Sequence, residues 1–342
     1  MICRPLPSLP TPPLPLLVTG VAGVAGYNAF RYFRKRYGEA VVGTRRADNW
    51  PLDGAGIAAC DVFDSDGMRR LFDTYQFAAV LSCEGTCKLK SCELDPWLAW
   101  QVNVAGIENL LGVIDGSHVR LVHLSVDLVF SGAADGGYVE DDQTDPVTIY
   151  GKTMAQGERI ILQDRPDACI LRISLPMGVS FNGHAGAIDW IQSRFRKGKP
   201  ATLFFDEVRT PTYTDCLNRL YHRVLAGDLA GLYHAGGPRR LSLYQIAQII
   251  NRVGGYPPEH LMGCYRREAG PMPPRAGNVA MDSGKLHAAL GYPPFDPWPL
   301  LDEHVPTHAG WHRERRPGER GSPKYLAEVL YRNPAHSNSP AA

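Results

Sequence analysis

The chain has 342 residues, 44% of them hydrophobic and 21% charged, with a formal net charge of +1. That length buries a large core, and that charge steers the molecule neither to nucleic acid nor to an anionic lipid surface. Eight cysteines without a paired framework suit a reducing compartment, so a cytoplasmic protein is expected.

Residues 1–14 carry Arg4 and a series of prolines, among them Pro5, Pro7, Pro10, Pro12 and Pro13. These interrupt any apolar run of signal-peptide or membrane-span length, and the stretch reads as a proline-rich tail. From residue 15 short apolar runs alternate with longer amphipathic stretches, the pattern of a parallel sheet with crossover helices. Strands are predicted at 16–19, 40–43, 56–60, 78–82, 121–125 and 168–172. Helices are predicted at 26–37, 65–75, 96–111 and 150–162. Pro176 and the glycines of 177–186 break this rhythm. Helices at 187–196 and 241–253 then suggest a smaller lobe, with 231–235 returning as a strand to the main sheet. The fold expected is a doubly wound α/β (Rossmann) domain over 15–175, its sheet completed by 205–238. A smaller α/β substrate lobe takes 176–204 and 239–303, and 304–342 reads as an extended, partly ordered tail.

The first strand runs into Thr19-Gly20-Val21-Ala22-Gly23-Val24-Ala25-Gly26. A glycine-rich turn between strand and helix lets main-chain N–H groups at the helix N-terminus meet a diphosphate. Gly20 would supply the sharp turn, Gly23 the room for phosphates and Gly26 the close packing of helix on strand. The spacing is GxxGxxG, and all seven residues from Gly20 to Gly26 are candidate cofactor contacts. The second strand leads into Arg45 and Arg46, where an NAD site places an acid and arginines suit a 2′-phosphate. NADP(H) is therefore favoured over NAD(H), two solvated arginines being the alternative. Asp61 and Val62 follow the third strand, where a carboxylate can meet an adenine amino group. Asn103 lies on a helix beside the sheet, either bracing backbone around the cofactor or satisfied locally. Ser82, Cys83, Tyr150 and Leu175 complete the cofactor-facing set.

With these go 96–106 (PWLAWQVNVAG), 121–132 (LVHLSVDLVFSG), 150–158 (YGKTMAQGE), 171–178 (LRISLPMG), 209–215 (RTPTYTD) and 233–238 (YHAGGP). In order, from residue 16 to residue 300, the chain resembles the extended short-chain dehydrogenase/reductases, and among them the dTDP-4-dehydrorhamnose reductase group. The resemblance implies an NADP(H)-dependent oxidoreductase acting on a sugar nucleotide or related carbonyl compound. It also implies a reacting set: a Tyr-x-x-x-Lys pair sharing one helix face, and a threonine ending the fifth strand. The tyrosine passes a proton to the carbonyl as hydride arrives. The lysine anchors the nicotinamide ribose and lowers the tyrosine pKa.

Tyr150 keeps the tyrosine place, but Met154 stands at the lysine position and Val126 at the threonine position. Lys152 points about 200° around the helix from Tyr150, and strand alternation turns Ser125 to the opposite face. The group fills the loop after the fourth strand with small neutral residues, whereas this chain has Glu84, Thr86, Lys88 and Lys90 there. Lys88 or Lys90 as the missing cation, with Glu84 or Thr86 as a proton path, competes with the reading of charges on a solvated loop. Cys83, Cys87 and Cys92 match no common zinc spacing, so no metal is expected. Glu84, Asp127, His184 and Arg209 are the substrate-facing candidates, Arg209 either on a substrate phosphate or in a surface ion pair.

A second class of function stays open. The same group includes the regulatory β subunit of methionine adenosyltransferase, which binds NADP without a known turnover role. Val126 and Met154 favour such a non-catalytic regulatory or scaffolding subunit. The partner expected is a small molecule, a nucleotide sugar among the candidates, with no nucleic acid and no membrane; a homo-oligomer is left open.

Overall fold

The computed structural model describes residues 9–49, 51–86, 89–183, 186–315, 318–319 and 321–331. Six strands come first: β1 (Leu16–Val18), β2 (Val41–Arg45), β3 (Ile57–Ala59), β4 (Ala79–Ser82), β5 (Arg120–Val126) and β6 (Cys169–Ile173). Short pieces follow as β7 (Pro176–Met177), β8 (Ala201–Phe204), β9 (Val208–Arg209) and β10 (Thr212–Tyr213). Then come β11 (Gly231–Ala235), β12 (Leu241–Ser242) and β13 (Leu261–Cys264). The main sheet is parallel throughout, in the order β11-β6-β5-β4-β1-β2-β3. The strand expected over 231–235 does return to it, beside β6.

The helices are α1 (Val24–Tyr37), α2 (Ser65–Tyr75), α3 (Leu89–Leu94), α4 (Pro96–Trp100), α5 (Gly106–Val113) and α6 (Ile149–Asp164). Further on lie α7 (Ala187–Arg196), α8 (Thr214–Leu225), α9 (Leu243–Val253), α10 (Gly284–Leu290) and α11 (Pro323–Leu330). All three residues of β1 are fully buried, as a strand covered on both faces requires. Leu16 and Val18 pack with Phe30 and Phe33 of α1 and Leu217 and Leu220 of α8. Leu17 turns to the other layer, with Met68 of α2, Ile107 and Leu110 of α5 and Ile161 of α6. The alternation along three residues thus assigns helices to both sides of the sheet. Beyond β6, β8 pairs with β13 and β9 with β12, and α7 and α9 pack alongside them.

Three expectations are corrected. The helix expected over 96–111 is interrupted: α4 ends at Trp100, Gln101–Ala105 forms a wide π turn, and α5 begins at Gly106. From His304 the described residues, up to 331, are packed on the body and do not form an extended tail. His304, Trp311 and His312 are buried, and α11 buries Leu326, Val329 and Leu330. Trp298 Nε1 donates to the Leu330 carbonyl, 3.3 Å, and Tyr213 Oη to that of Val329, 3.2 Å. The spacing of Leu326, Val329 and Leu330 is that of a helix burying one stripe. Residues 9–14 of the supposed leading tail are also docked, with the Pro10 carbonyl 3.0 Å from His222 Nε2 and Pro12 buried. Among the described residues no helix is long and apolar enough to cross a membrane.

Candidate active site

The glycine turn is built by two crossings of backbone. Gly20 has φ +64°, and a Cβ there would lie 2.5 Å from the Cys83 carbonyl oxygen. A Cβ on Gly26 would lie 2.4 Å from the Gly20 oxygen. Gly23 differs: a Cβ would meet only the Gly20 oxygen, at 3.5 Å, so the protein itself leaves that side open. Gly23 is the N-cap of α1, and no side-chain hydrogen bond caps this helix. α2, α6 and α9 instead carry Asp64, Thr148 and Ser242 as caps. The first amides of α1 therefore have no side-chain cap and start beside an open backbone position, an arrangement that suits an anion. The Thr19 hydroxyl accepts from the main-chain amides of Cys83 and Glu84, at 3.1 and 3.2 Å, and so lays the loop after β4 across the turn. Val21, Ala22, Val24 and Ala25 line the same turn, with Val21 and Val24 buried.

At the ends of β2 and β3 the two arginines have separate tasks. Arg45 is buried and donates to the carbonyls of Arg46 and Ala47, at 3.0 and 3.4 Å. It shapes its own loop and is not a solvated residue. Arg46 is partly exposed and pairs with Asp48 at 2.9 Å and Asp61 at 3.8 Å. Thr44 Oγ1, Arg45 Nε, Arg46 Nε and Glu84 Oε2 are all buried with no hydrogen-bond partner among the described residues. Four such atoms, on the end of β2 and on the loop after β4, leave polar groups that a ligand could satisfy. Val62 is buried, and its carbonyl accepts from Asn109 Nδ2 at 2.6 Å.

The second half of the site lies on α6. Thr148 caps it by accepting from the Gly151 amide at 2.9 Å. Tyr150 and Met154, one turn apart, are both buried in one cluster with Leu128, Val129 and Phe130. Lys152 is exposed, on another face. A Cβ on Gly85 would lie 3.8 Å from the Met154 sulfur and 3.7 Å from Asn103 Oδ1. The thioether therefore stands beside the loop that covers the turn. Asn103 is 3% exposed; its Oδ1 accepts from the Thr86 amide and its Nδ2 donates to Thr153 Oγ1, each at 2.9 Å. Its amide braces the loop, and the π turn is what aims it there. Val126 ends β5 partly exposed, whereas Ser125 is fully buried with Oγ unpaired.

Two substrate-facing candidates lie elsewhere than expected. Asp127 and Arg209 form a buried ion pair, and Arg209 also reaches Glu207 at 3.6 Å. Glu207 is held in turn by Arg275 Nη2 at 2.9 Å, and Asp127 Oδ2 accepts from Ser174 Oγ at 2.6 Å. Arg209 is neither a surface ion pair nor free for a phosphate. Burial alone would lower its pKa, but Asp127, Glu207 and, more weakly, Tyr150 raise it. The Tyr150 phenol thus sits within the field of a buried guanidinium that the pattern of α6 does not announce. Ser82 is also turned inward, its hydroxyl 3.1 Å from His123 Nδ1. Burial lifts the Cys83 thiol far above its ordinary value, which makes it a poor nucleophile. Leu175 lines a cavity of about 370 Å³ with Ile188, Trp190, Phe204, Ile246 and Arg275. Lys90 is exposed on α3, while Lys88, Cys87 and His184 lie outside the described residues.

A family model described as the RmlD substrate binding domain matches residues 14–300. The "Probable low-salt glycan biosynthesis reductase Agl14" of Haloferax volcanii is 30% identical over 223 residues, 65% of this chain and 74% of that protein. "Methionine adenosyltransferase 2 subunit beta" of Xenopus laevis is 27% identical over 262 residues, 73% of this chain and 78% of the relative. Among solved structures, a dTDP-4-dehydrorhamnose reductase from Bacillus anthracis in complex with NADP superposes with a TM-score of 0.70. It is 18% identical, covering 83% of this chain and 95% of the other, and at that identity the likeness shows the fold.

Proposed function

Since the chain belongs to the RmlD substrate binding domain family, within the extended short-chain dehydrogenase/reductases, we propose that it is a nicotinamide-dependent oxidoreductase, with NADP(H) ahead of NAD(H), acting on a sugar nucleotide or related small carbonyl compound. The observation that carries this reading is the uncapped start of α1 at Gly23, together with buried polar atoms of Thr44, Arg45, Arg46 and Glu84 that lack a hydrogen-bond partner among the described residues. A bound nicotinamide supplies or accepts hydride. The chain's own residues do the rest. Main-chain amides of the turn from Gly20 to Gly26 hold the diphosphate, and Arg46 faces the adenosine end, where its charge suits a 2′-phosphate. Arg45 supports that loop from beneath. Asn103 fixes the covering loop, and Tyr150 delivers the proton to the carbonyl oxygen. Arg209, its charge shared with Asp127 and Glu207, is a buried cation within weak electrostatic reach of the phenol. The cavity beside Leu175 and Trp190 is the place for the remainder of the substrate.

A second reading has its own support. Met154 buries a thioether where the reductases place an ammonium, Val126 offers no hydroxyl, and a relative is named as a subunit of another enzyme. A cofactor-binding regulatory subunit needs the turn and not the proton donor. Assay of the purified chain with NADPH against dTDP-4-dehydro sugars divides the two. Turnover that disappears in Tyr150→Phe, with NADPH affinity unchanged, supports the enzyme. Binding without turnover over a broad carbonyl panel supports the subunit.

A further inference from the structure

The amides of the glycine turn suit an anion, yet the chain sets an acid of its own against them. Glu84 follows Cys83 on the covering loop, fixed by the Thr19 hydroxyl. Its Oε2 is closed off from solvent with no hydrogen-bond partner among the described residues, and the Gly20 main-chain N–H is near enough to draw the carboxyl pKa down. The cation facing it is Arg46, from the end of β2, whose charge Asp48 and Asp61 already share. Asp61 and the Cys60 thiol face it from the segment after β3, and the Cys83 thiol from its own loop. Burial lifts the Glu84 carboxyl to about 7, with Arg46 and the Gly20 amide drawing it down and Asp61 pushing it up.

We infer that Glu84 sets the affinity of this site for its dinucleotide: it stands as a competing anion at the glycine turn, so the diphosphate is held tightly only when Glu84 is neutral, and binding takes up a proton. The inference rests on the dinucleotide reading above. The physical reason is that two anions sharing one desolvated amide row and one partly neutralised arginine repel strongly. A bound diphosphate therefore favours the protonated carboxyl. By linkage, affinity is full below the pKa of the free site and falls above it, by as much as about tenfold per pH unit.

Titration calorimetry of the full chain tests this from about pH 6 to about pH 8.5, in two buffers of different ionisation heat. NADH is the probe, because the 2′-phosphate of NADPH titrates at about 6 by itself. The wild-type dissociation constant should climb above neutrality with close to one proton taken up. Glu84→Gln should bind with a flat profile, about tenfold or more tighter than wild type at the alkaline end, and Asp61→Asn should keep the wild-type slope. Glu84→Ala repeats the result without an amide, and thermal melting verifies that each variant is folded. A flat wild-type profile, or a slope that survives Glu84→Gln or moves to Asp61→Asn, overturns the inference while leaving the dinucleotide reading in place. No binding of NADH or NADPH to wild type or Glu84→Gln at any pH overturns both.

Discussion

Gly20 and Gly23 serve different masters, and single methyl groups separate them. Gly20→Ala forces a side chain into a left-handed conformation and against the Cys83 carbonyl. It should lower stability by about 1–3 kcal/mol, read as a fall in thermal midpoint. Gly23→Val adds bulk on the open side. Its midpoint should stay near wild type, while calorimetric affinity for NADPH falls about tenfold or more, a loss of about 1.4 kcal/mol. The double change Val126→Thr with Met154→Lys restores the group's polar pair. It should raise turnover by about 100-fold, the lower range of general acid–base effects, and a rate no higher than wild type would count against the proposed reaction. The unliganded variant should melt lower, since an ammonium replaces a 3% exposed thioether, and NADPH should recover part of the loss.

Element by element, the helices of this site depend on short polar anchors. Thr148→Ala removes the cap of α6 and should destabilise by about 1 kcal/mol, with the loss read in urea. Asn103→Leu strands the Thr86 amide and should cost about 1–3 kcal/mol, and it should weaken NADPH binding because the covering loop loses its brace. The sequence made the site's elements legible where the pattern was regular. The three-residue run of β1, the glycines after it and the four-residue spacing of Tyr150 and Met154 all follow from periodicity. The π turn at Gln101–Ala105 does not, since one added residue in a turn leaves the apolar spacing nearly unchanged. Nor was Arg45's inward turn visible, because its partners are carbonyls of its own loop. Arg209 was legible as a charged residue near the cleft, yet its partners Asp127 and Glu207 come together only through the crossing of β5 and β9. Glu84 stands out in the sequence as a charge on that loop, but only the Gly20–Cys83 crossing brings its backbone against the turn.

Across the whole molecule, several buried histidines bias stability toward neutral pH. His123 is held neutral, burial pressing its pKa down to about 4. Above the unfolded value of about 6.5 neither state is charged and nothing is lost. As pH falls from there toward 4 the unfolded chain takes the proton first. Stability should drop by up to about 3 kcal/mol from this group. Burial moves His222, His234, His304 and His312 the same way. Urea titrations at neutral and mildly acid pH should show the decline, and His123→Asn should make it shallower. The closing segment contributes at this scale too. Leu326→Ala should cost about 2–5 kcal/mol, whereas an extended tail would register almost nothing.

The chain of charges from Asp127 through Arg209 and Glu207 to Arg275 stitches a sheet strand to the segments beyond it. Removing Arg209, the one member that pairs with Asp127, leaves that buried carboxylate without its cation, a penalty of about 3–5 kcal/mol. The end of β5 is thereby tied to β9 by charges that have no water to take their place.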